Sequence, residues 1–276
     1  MPSGKAKIAG VIGWPVAHSL SPKLHNYWLK KYGIDGEYLA LAVEPKDLET
    51  VIKTLPEMGW QGCNLTIPHK EAALSFLDEI DDIAWSVGAV NTVIVKDGKL
   101  FGMNTDVYGF TKNIEQQLKG RNKAVVLGAG GAAKAVWKAL LDMDFGKIVT
   151  LNRNHDRATL SQKLGNRFTA KLWEDRSSSA ILENADLLVN ATSLGLGDND
   201  PLDIDLSSLP MQALVTDIVY TPLMTPLLQL AKARGNPIVD GLGMLLHQAV
   251  PAFEAWFGVR PEVSEEVRRH IVGESA

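Results

Sequence analysis

The chain contains one cysteine, Cys63, in 276 residues. A single thiol excludes an intrachain disulfide and is typical of a protein in a reducing compartment, so we expect a cytoplasmic protein. Cys63 itself is predicted to be a small buried residue.

Several other features are missing. No apolar run reaches the roughly 18 residues of a membrane span. The apolar stretch near the N-terminus stops at Trp14-Pro15 without the core or cleavage site of a signal peptide. The net charge of −4 leaves no basic excess, which argues against nucleic acid as the main partner. The six histidines form no close ligand cluster, so no metal site is predicted, and His18 and His25 are interpreted as packing or surface residues.

What the chain does have is apolar strands that alternate with helices, which predicts an α/β fold. With 46% hydrophobic residues, the length suffices for one large domain or two ordinary ones. In the first hundred residues, strands are predicted at 8–12, 37–43, 62–66, 87–95 and 99–103, the last two joined by an Asp97-Gly98 turn. Helices are predicted from Ser21-Pro22, with Ser21 as the cap, over 45–58, and from Pro68.

The second half continues the alternation after a helix from about Val107. Strands are predicted at 123–127, 148–151, 186–190, 213–217 and 237–240, and two closing helices at 242–257 and 261–271. Near-continuous apolar strands between helices predict a parallel sheet that is covered on both faces. The segment 195–210, rich in Gly, Asp, Asn, Pro and Ser, is interpreted as a mobile surface loop.

A glycine-rich turn follows the strand at 123–127. It has the pattern G-x-G-x-x-A and opens an apolar helix, which is the context of a dinucleotide-binding turn. The predicted cofactor contacts in this turn are Gly128, Ala129, Gly130, Gly131 and Ala132.

The tip of the next strand predicts which nicotinamide cofactor is bound. An NAD-binding fold usually carries an acid there for the ribose 2′-hydroxyl. Here residues 152–157 place Asn152, Arg153 and Arg157 at the tip instead. Arginine offers planar, permanently charged donors to a phosphate, so the sequence predicts NADP. Arg157 alone is also compatible with a solvated helix residue, which is the less favoured interpretation.

Polar clusters in the first half carry the substrate information. Ser19 and Ser21 precede a helix, where hydroxyls and amides bind a carboxylate; simple helix capping by Ser21 explains them equally well. Asn64 and Thr66 alternate with apolar residues, so both face one side of a strand. Lys70 is predicted in the first turn of the next helix.

Lys70 has two interpretations. An exposed lysine would be unremarkable, whereas a lysine beside a cleft polarises a carbonyl and passes a proton to a developing alkoxide. Asp106 is its candidate partner, able to orient the ammonium and to accept a hydrogen bond from a substrate hydroxyl. The residues alone leave open whether the two side chains meet.

Taken in order, these motifs resemble the shikimate dehydrogenase family almost from end to end. Each motif is weak alone, and nine in the family's order are specific. The motifs occupy residues 18–22, 64–70, 88–92, 104–106, 128–133, 152–153, 190–193, 217–220 and 240–244.

The resemblance implies reversible, NADP-linked oxidation of the 3-hydroxyl of shikimate to 3-dehydroshikimate, in aromatic amino-acid (chorismate) biosynthesis. It makes Lys70 the catalytic lysine and Asp106 its acidic partner. The implied substrate-binding residues are Ser19 and Ser21 for the carboxylate, Thr66, Asn91, Asp106 and Gln248 for the ring hydroxyls, and Asn64 and Tyr220 as lining residues. The implied cofactor-binding residues outside the glycine-rich turn are Asp82, Asn152, Arg153, Arg157, Thr192, Ile218 and Gly241.

The resemblance also implies two α/β domains with a cleft between them. Residues 1–106 with 242–276 would bind substrate, and residues 107–241 would form a Rossmann-like NADP-binding domain with a parallel sheet. Hinge closure would exclude water from the hydride-transfer site. The protein is expected to be a monomer or a homodimer.

Two alternatives stay open. The chain departs from the family's commonest pattern at Val107 and Asn154, neither of which removes a charge that the mechanism needs. A quinate or aminoshikimate dehydrogenase paralogue, including one that uses NAD, is one alternative; serine at both Ser19 and Ser21 and arginine at the strand tip favour shikimate and NADP. A non-catalytic NADP-sensing protein is the alternative of a different class, which the intact Lys70 and Asp106 disfavour.

Overall fold

The computed structural model describes residues 2–273 of the chain. It divides into two compact units, a first unit of Met1–Asp106 with Leu245–Ala276 and a second unit of Val107–Met244. The chain therefore returns to the first unit at Leu245, whereas the sequence analysis predicted a return at Leu242. No helix among the described residues is both long and apolar enough to span a bilayer.

The first unit is built on a mixed six-stranded sheet. Its strands are β1 (Lys7–Gly13), β2 (Gly36–Ala42), β3 (Gly62–Leu65), β4 (Glu79–Ile80), β5 (Thr92–Lys96) and β6 (Lys99–Met103), in the order β2-β1-β3-β5-β6-β4. The α-helices that precede the end of β6 are α1 (Ser21–Lys31), α2 (Leu48–Thr54) and α3 (Asp82–Val87). β1 runs parallel to β2 and β3, and β5 runs antiparallel to β3 and β6.

The second unit is built on a sheet whose strands are all parallel. After α4 (Asp106–Ile114) come β7 (Lys123–Leu127), α5 (Gly131–Asp142), β8 (Lys147–Leu151), α6 (His155–Thr159), β9 (Phe168–Lys171), α7 (Ser179–Leu182), β10 (Leu187–Asn190), β11 (Leu214–Asp217), α8 (Pro226–Arg234) and β12 (Ile238–Val239). The strand order is β12-β11-β10-β7-β8-β9. Every residue of β7, β10 and β11 is buried, as a sheet covered on both faces requires. The predicted two-domain α/β fold with a parallel sheet is confirmed.

Two helices close the chain, α9 (Leu242–Phe257) and α10 (Glu265–Val272). From Leu245 onward they belong to the first unit. Within that unit the indole Nε1 of Trp256 in α9 donates to the backbone oxygen of Val93 in β5 at 3.0 Å. The predicted helix at 242–257 has these bounds, whereas the second one begins four residues later than its predicted start at 261.

Two predicted helix starts are wrong. Ser21 is the first residue of α1 rather than its cap; the cap position is Leu20, which makes no side-chain bond to the helix. No helix begins at Pro68, because residues 68–71 form a turn. His69 explains that turn, since its ring is buried and its Nε2 hydrogen-bonds the backbone oxygen of Val43 at 2.9 Å, which draws the segment inward.

The segment 195–210 is also corrected. It contains no helix or strand, as predicted, yet it is not simply a surface loop. Four of its apolar side chains are buried in the core of the second unit, together with strand residues such as Val125 and Leu188; they are Leu202, Ile204, Leu206 and Leu209. The short strands β4 and β9 were not predicted.

Candidate active site

Lys70 and Asp106 meet in the first unit. Lys70 Nζ lies 2.6 Å from Asp106 Oδ2, and the side chains are only 17% and 7% exposed. Lys70 sits in the turn after β3, where its backbone oxygen accepts a hydrogen bond from Val90 N at 2.8 Å. Asp106 is the first residue of α4. The structure thus brings together two residues 36 positions apart, and their spacing is that of a charge-assisted hydrogen bond.

Asn91 connects this pair to α9. Its Nδ2 donates to Asp106 Oδ1 at 2.8 Å and lies 3.4 Å from Gln248 Oε1. Its Oδ1 accepts the backbone N–H of Thr105 at 2.8 Å. Asp106 therefore accepts one bond from an ammonium and one from an amide, which fixes its carboxylate in place. Asn91, Asp106 and Gln248, all proposed from the sequence, form one cluster with Lys70.

Asn64 belongs to the same network from the β3 side. Its Nδ2 donates to the backbone oxygen of Asn91 at 3.1 Å and to Thr92 Oγ1 at 3.0 Å. Its Oδ1 accepts the hydroxyl of Tyr38 at 2.6 Å. The sequence analysis quoted Thr92 within the motif at 88–92 without assigning it a role. It missed Tyr38, which stands in a strand without a polar motif around it.

The two serines and Thr66 follow the ends of neighbouring parallel strands. Ser19 Oγ accepts the backbone N–H of Ser21 at 3.3 Å, just where α1 begins. Thr66 follows β3, and its N–H donates to the backbone oxygen of Ile12 in β1 at 3.0 Å. Because β1 and β3 run parallel, the segment that carries the serines and the turn that carries Lys70 leave the sheet at the same edge.

The glycine-rich turn has the geometry expected of a dinucleotide-binding loop. Gly128 has a φ of +120°, and a Cβ there would lie 2.6 Å from the backbone oxygen of Ala191. Gly130 caps α5, and a Cβ there would meet no atom within 4 Å. The first backbone amides of this 12-residue helix have no partner within the helix, and together with the helix dipole they favour an anion. Ala129 is buried, and Gly131 and Ala132 form the first turn.

The tip of β8 presents the two arginines. Arg153 and Arg157 are exposed, and Arg157 lies in α6. Asn154 caps α6, its side chain accepting the N–H of Arg157 at 3.2 Å, and Asn152 Nδ2 donates to the backbone oxygen of Asn154 at 2.9 Å. The departure from the commonest pattern at Asn154 is thus accommodated by a standard helix cap.

A buried network joins the ends of β10 and β11. Asn190 Oδ1 accepts Thr192 Oγ1 at 2.7 Å, and Asn190 Nδ2 donates to Asp217 Oδ1 at 3.0 Å. Thr225 Oγ1 donates to Asp217 Oδ2 at 2.8 Å. Burial raises the pKa of Asp217 to about 6, although these hydrogen bonds oppose the rise. Sequence analysis quoted Asn190 and Asp217 as parts of motifs without assigning them a role.

The remaining candidates are Ile218, Tyr220, Gly241 and Asp82. A Cβ at Gly241 would lie 2.5 Å from the backbone oxygen of Ile218, so only glycine fits beside that strand end. Burial raises the pKa of Tyr220, which is two residues after Ile218. Asp82 is exposed at the first residue of α3 and belongs to the first unit, not to the unit of the glycine-rich turn.

In the part of the chain that the structure describes, no group of three or more His, Cys, Asp or Glu side chains is placed to hold a metal ion. His18 is exposed and His25 is fully buried. Cys63 is buried as predicted, and burial raises the pKa of its thiol.

Comparison with known proteins gives a consistent result along the chain. Models of the shikimate dehydrogenase substrate binding domain, of shikimate/quinate 5-dehydrogenase and of the shikimate 5′-dehydrogenase C-terminal domain match residues 11–93, 110–195 and 241–265. The shikimate dehydrogenase (NADP(+)) of Paramagnetospirillum magneticum is 54% identical over 98% of this chain and 99% of its own length.

Solved structures agree with the sequence relatives. Shikimate 5-dehydrogenase from Thermus thermophilus in complex with NADP(H) and shikimate superposes with a TM-score of 0.85 at 38% identity, covering 96% of this chain and 99% of that one. Quinate dehydrogenase from Corynebacterium glutamicum in complex with NAD gives a TM-score of 0.89 at 30% identity, covering 97% and 99%. From its residue clusters, its fold and these matches, the chain belongs to the shikimate dehydrogenase family.

Proposed function

We propose that this protein catalyses the reversible, NADP-linked interconversion of shikimate and 3-dehydroshikimate. The observation that carries the proposal is the pair of partly buried Lys70 and buried Asp106, 2.6 Å apart, with Asp106 fixed by Asn91. An ammonium that is held against a carboxylate and remains partly exposed is suited to act on one hydroxyl or carbonyl oxygen. A protein that only sensed a nucleotide would have no use for such a pair.

The substrate is bound by the polar groups around that pair. Ser19 and Ser21, at the N-terminus of the 11-residue α1, bind the carboxylate, which the helix dipole also favours. The ring hydroxyls are bound by Thr66, Asn91, Asp106 and Gln248, and the site is lined by Asn64 and Tyr220. The proposed binding groups are therefore neutral ones, one cation and one carboxylate, for a substrate that has one negative charge and several hydroxyls.

Lys70 handles the proton of the reacting hydroxyl. During reduction its ammonium stabilises the negative charge that develops on the carbonyl oxygen and then donates a proton to it. During oxidation the neutral amine accepts the hydroxyl proton. Asp106 orients the Lys70 side chain and accepts a hydrogen bond from the substrate. Asn91 keeps Asp106 in position through both directions of the reaction.

The second unit has the residues that NADP requires. When bound, NADP supplies the hydride acceptor for oxidation of the substrate carbon. The amides of Gly130, Gly131 and Ala132 suit its pyrophosphate, because the space before α5 is open and a side chain is missing at Gly130. The exposed Arg153 and Arg157 suit its 2′-phosphate. Further contacts are assigned to Asp82, Gly128, Ala129, Asn152, Thr192, Ile218 and Gly241.

The test is a steady-state assay of the purified chain with each acid and each cofactor. We expect shikimate to support reduction of NADP with a higher kcat/KM than quinate does, and NADP to be preferred to NAD. A higher kcat/KM with quinate would assign the chain to the quinate-using branch. No reduction with any pairing, by a protein that still binds NADP, would make it a non-catalytic sensor.

A further inference from the structure

Tyr38 in β2 is buried beside the substrate-binding cluster. Its hydroxyl donates to Asn64 Oδ1 at 2.6 Å, and the two residues are 1% and 5% exposed. Because neither group is open to bulk water, the phenol sets the orientation of the Asn64 amide. Reversing that amide would leave the phenol facing an N–H group and would leave a buried acceptor without a donor.

Helix α1 holds Tyr38 at both its backbone and its ring. Asn26 Nδ2 donates to the backbone oxygen of Tyr38, and Asn26 Oδ1 accepts the Tyr38 N–H, each at 2.9 Å. The His25 ring stacks on the Tyr38 ring with centroids 4.0 Å apart and planes 4° from parallel. Burial lowers the pKa of His25 to about 3, so this stack is uncharged near neutral pH. The phenol is therefore held rigidly by the helix that begins at Ser21.

From Asn64 a continuous path of hydrogen bonds reaches Asp106. Asn64 Nδ2 donates to Thr92 Oγ1 at 3.0 Å, and Thr92 Oγ1 donates to Asn91 Oδ1 at 3.0 Å. Asn91 Nδ2 then donates to Asp106 Oδ1 at 2.8 Å. Both amide hydrogens of Asn64 are used by protein acceptors, since the second bonds the backbone oxygen of Asn91 at 3.1 Å.

We propose that Tyr38 is a positioning residue for substrate binding, acting through Asn64 and Thr92 on the side chain of Asn91. This inference rests on the proposed function, in which Asn91 binds a ring hydroxyl. Without the phenol, Asn64 and Thr92 lose the orientation that holds Asn91, while Lys70 and Asp106 keep their direct contact. The effect is therefore on binding in both the ground state and the transition state, which changes KM more than kcat.

Tyr38→Phe is the direct test, because it removes one oxygen and keeps the stacked ring. We expect the KM for shikimate to rise about tenfold, as the loss of roughly one buried hydrogen bond implies. The kcat changes much less, and the KM for NADP stays at the wild-type value. The matched control is Tyr32→Phe, which removes a phenol that accepts Glu262 N in the same unit, and its kinetics stay as in the wild type.

A second variant keeps the test decisive if Tyr38→Phe does not fold. Thr92→Val is isosteric and cuts the same path one step closer to Asp106, so it also raises the KM for shikimate. When both variants fold, the double variant has a smaller effect than the product of the two single effects, because the residues act in one path.

Two outcomes would overturn the inference. If wild-type protein reduces NADP with shikimate and either variant keeps the wild-type KM for shikimate, Tyr38 has only a structural role, whatever the thermal midpoint does. If wild-type protein shows no activity with shikimate, the proposed function fails and this inference fails with it.

Discussion

Lys70 is held at its backbone and at its ammonium, and these two contacts fix where the ammonium lies. Its backbone oxygen is fixed by Val90 N, and its ammonium is fixed by Asp106. A flexible lysine in water would populate many rotamers, and ordering one costs up to about 2 kcal/mol of side-chain entropy. Here that ordering is completed by folding, so the ammonium is in place before the substrate arrives.

Lys70→Ala is expected to lower kcat by about 10²–10⁴-fold, the usual contribution of a general acid–base group. The KM for shikimate should change little, because the serines and the ring-hydroxyl donors remain. Steady-state kinetics with saturating NADP measure both quantities. Lys53→Ala is the control, since it removes an exposed lysine that pairs with Glu49 on the same helix. Turnover near the wild-type value in Lys70→Ala would remove Lys70 from the mechanism.

For the single residues of the site, the sequence predicted the residue types but not their contacts. Lys70 and Asp106 were candidates because each lies in a polar cluster at a strand end. That they meet depends on the hairpin of β5 and β6, which returns the chain at residues 104–106 to the edge of the sheet at which β3 ends. Tyr38 was not predictable in this way, because its partner Asn64 is 26 positions away in a strand that is not adjacent to β2.

Among the elements, the β7–α5 turn and the tip of β8 were the easiest to predict. Their signals are local: a glycine that needs positive φ, a helix that starts at once, and a strand end without an acid. The turn after β3 was harder. Pro68 is a good helix-start signal, yet the buried ring of His69 and its bond to Val43 outweigh that local preference.

The tip of β8 can be tested separately from the catalytic pair. Arg153→Ala is expected to raise the KM for NADP by about tenfold or more, the value of one charge-assisted hydrogen bond to a phosphate. The KM for NAD should stay nearly constant, because NAD has no 2′-phosphate. Initial rates with each cofactor at saturating shikimate give the comparison.

Arg167→Ala is the control for Arg153→Ala. It removes an arginine of the same unit whose guanidinium bonds Asp144 at 2.6 Å. Both KM values should stay as in the wild type. If Arg153→Ala weakens NADP and NAD equally, Arg153 does not recognise the 2′-phosphate.

For the molecule as a whole, each unit has its own hydrophobic core. The core of the first unit gathers residues such as Ile12, Leu65 and Val93, and that of the second gathers Val125, Leu188 and Val215. The length and the alternation of strands and helices left open one large domain or two ordinary ones, and the family resemblance predicted two. The position of the boundary near residue 106 came from the family resemblance, because no proline- or glycine-rich linker marks it.

Stability of the second unit should depend on pH through Asp217. Its pKa is raised to about 6 by burial, so the folded protein keeps a proton that the unfolded chain releases near pH 4. Between these values the folded state binds more protons, and the free energy of unfolding falls as pH rises. The loss is at most about 1.4 kcal/mol per pH unit. The loss of stability is complete above the pKa of Asp217 in the folded protein and absent below its pKa in the unfolded chain.

Asp217→Asn should remove this part of the pH dependence. An amide keeps the acceptor for Asn190 Nδ2 and has no charge to desolvate, so the variant gains stability relative to the wild type as pH rises from about 4 to 7. Denaturant unfolding of both proteins at a series of pH values measures the difference. The exposed Asp198→Asn controls for the loss of one carboxylate. A stability difference between Asp217→Asn and wild type that stays constant across this range would show that Asp217 is ionised throughout it, and that the hydrogen bonds from Asn190, Val219 and Thr225 outweigh its burial.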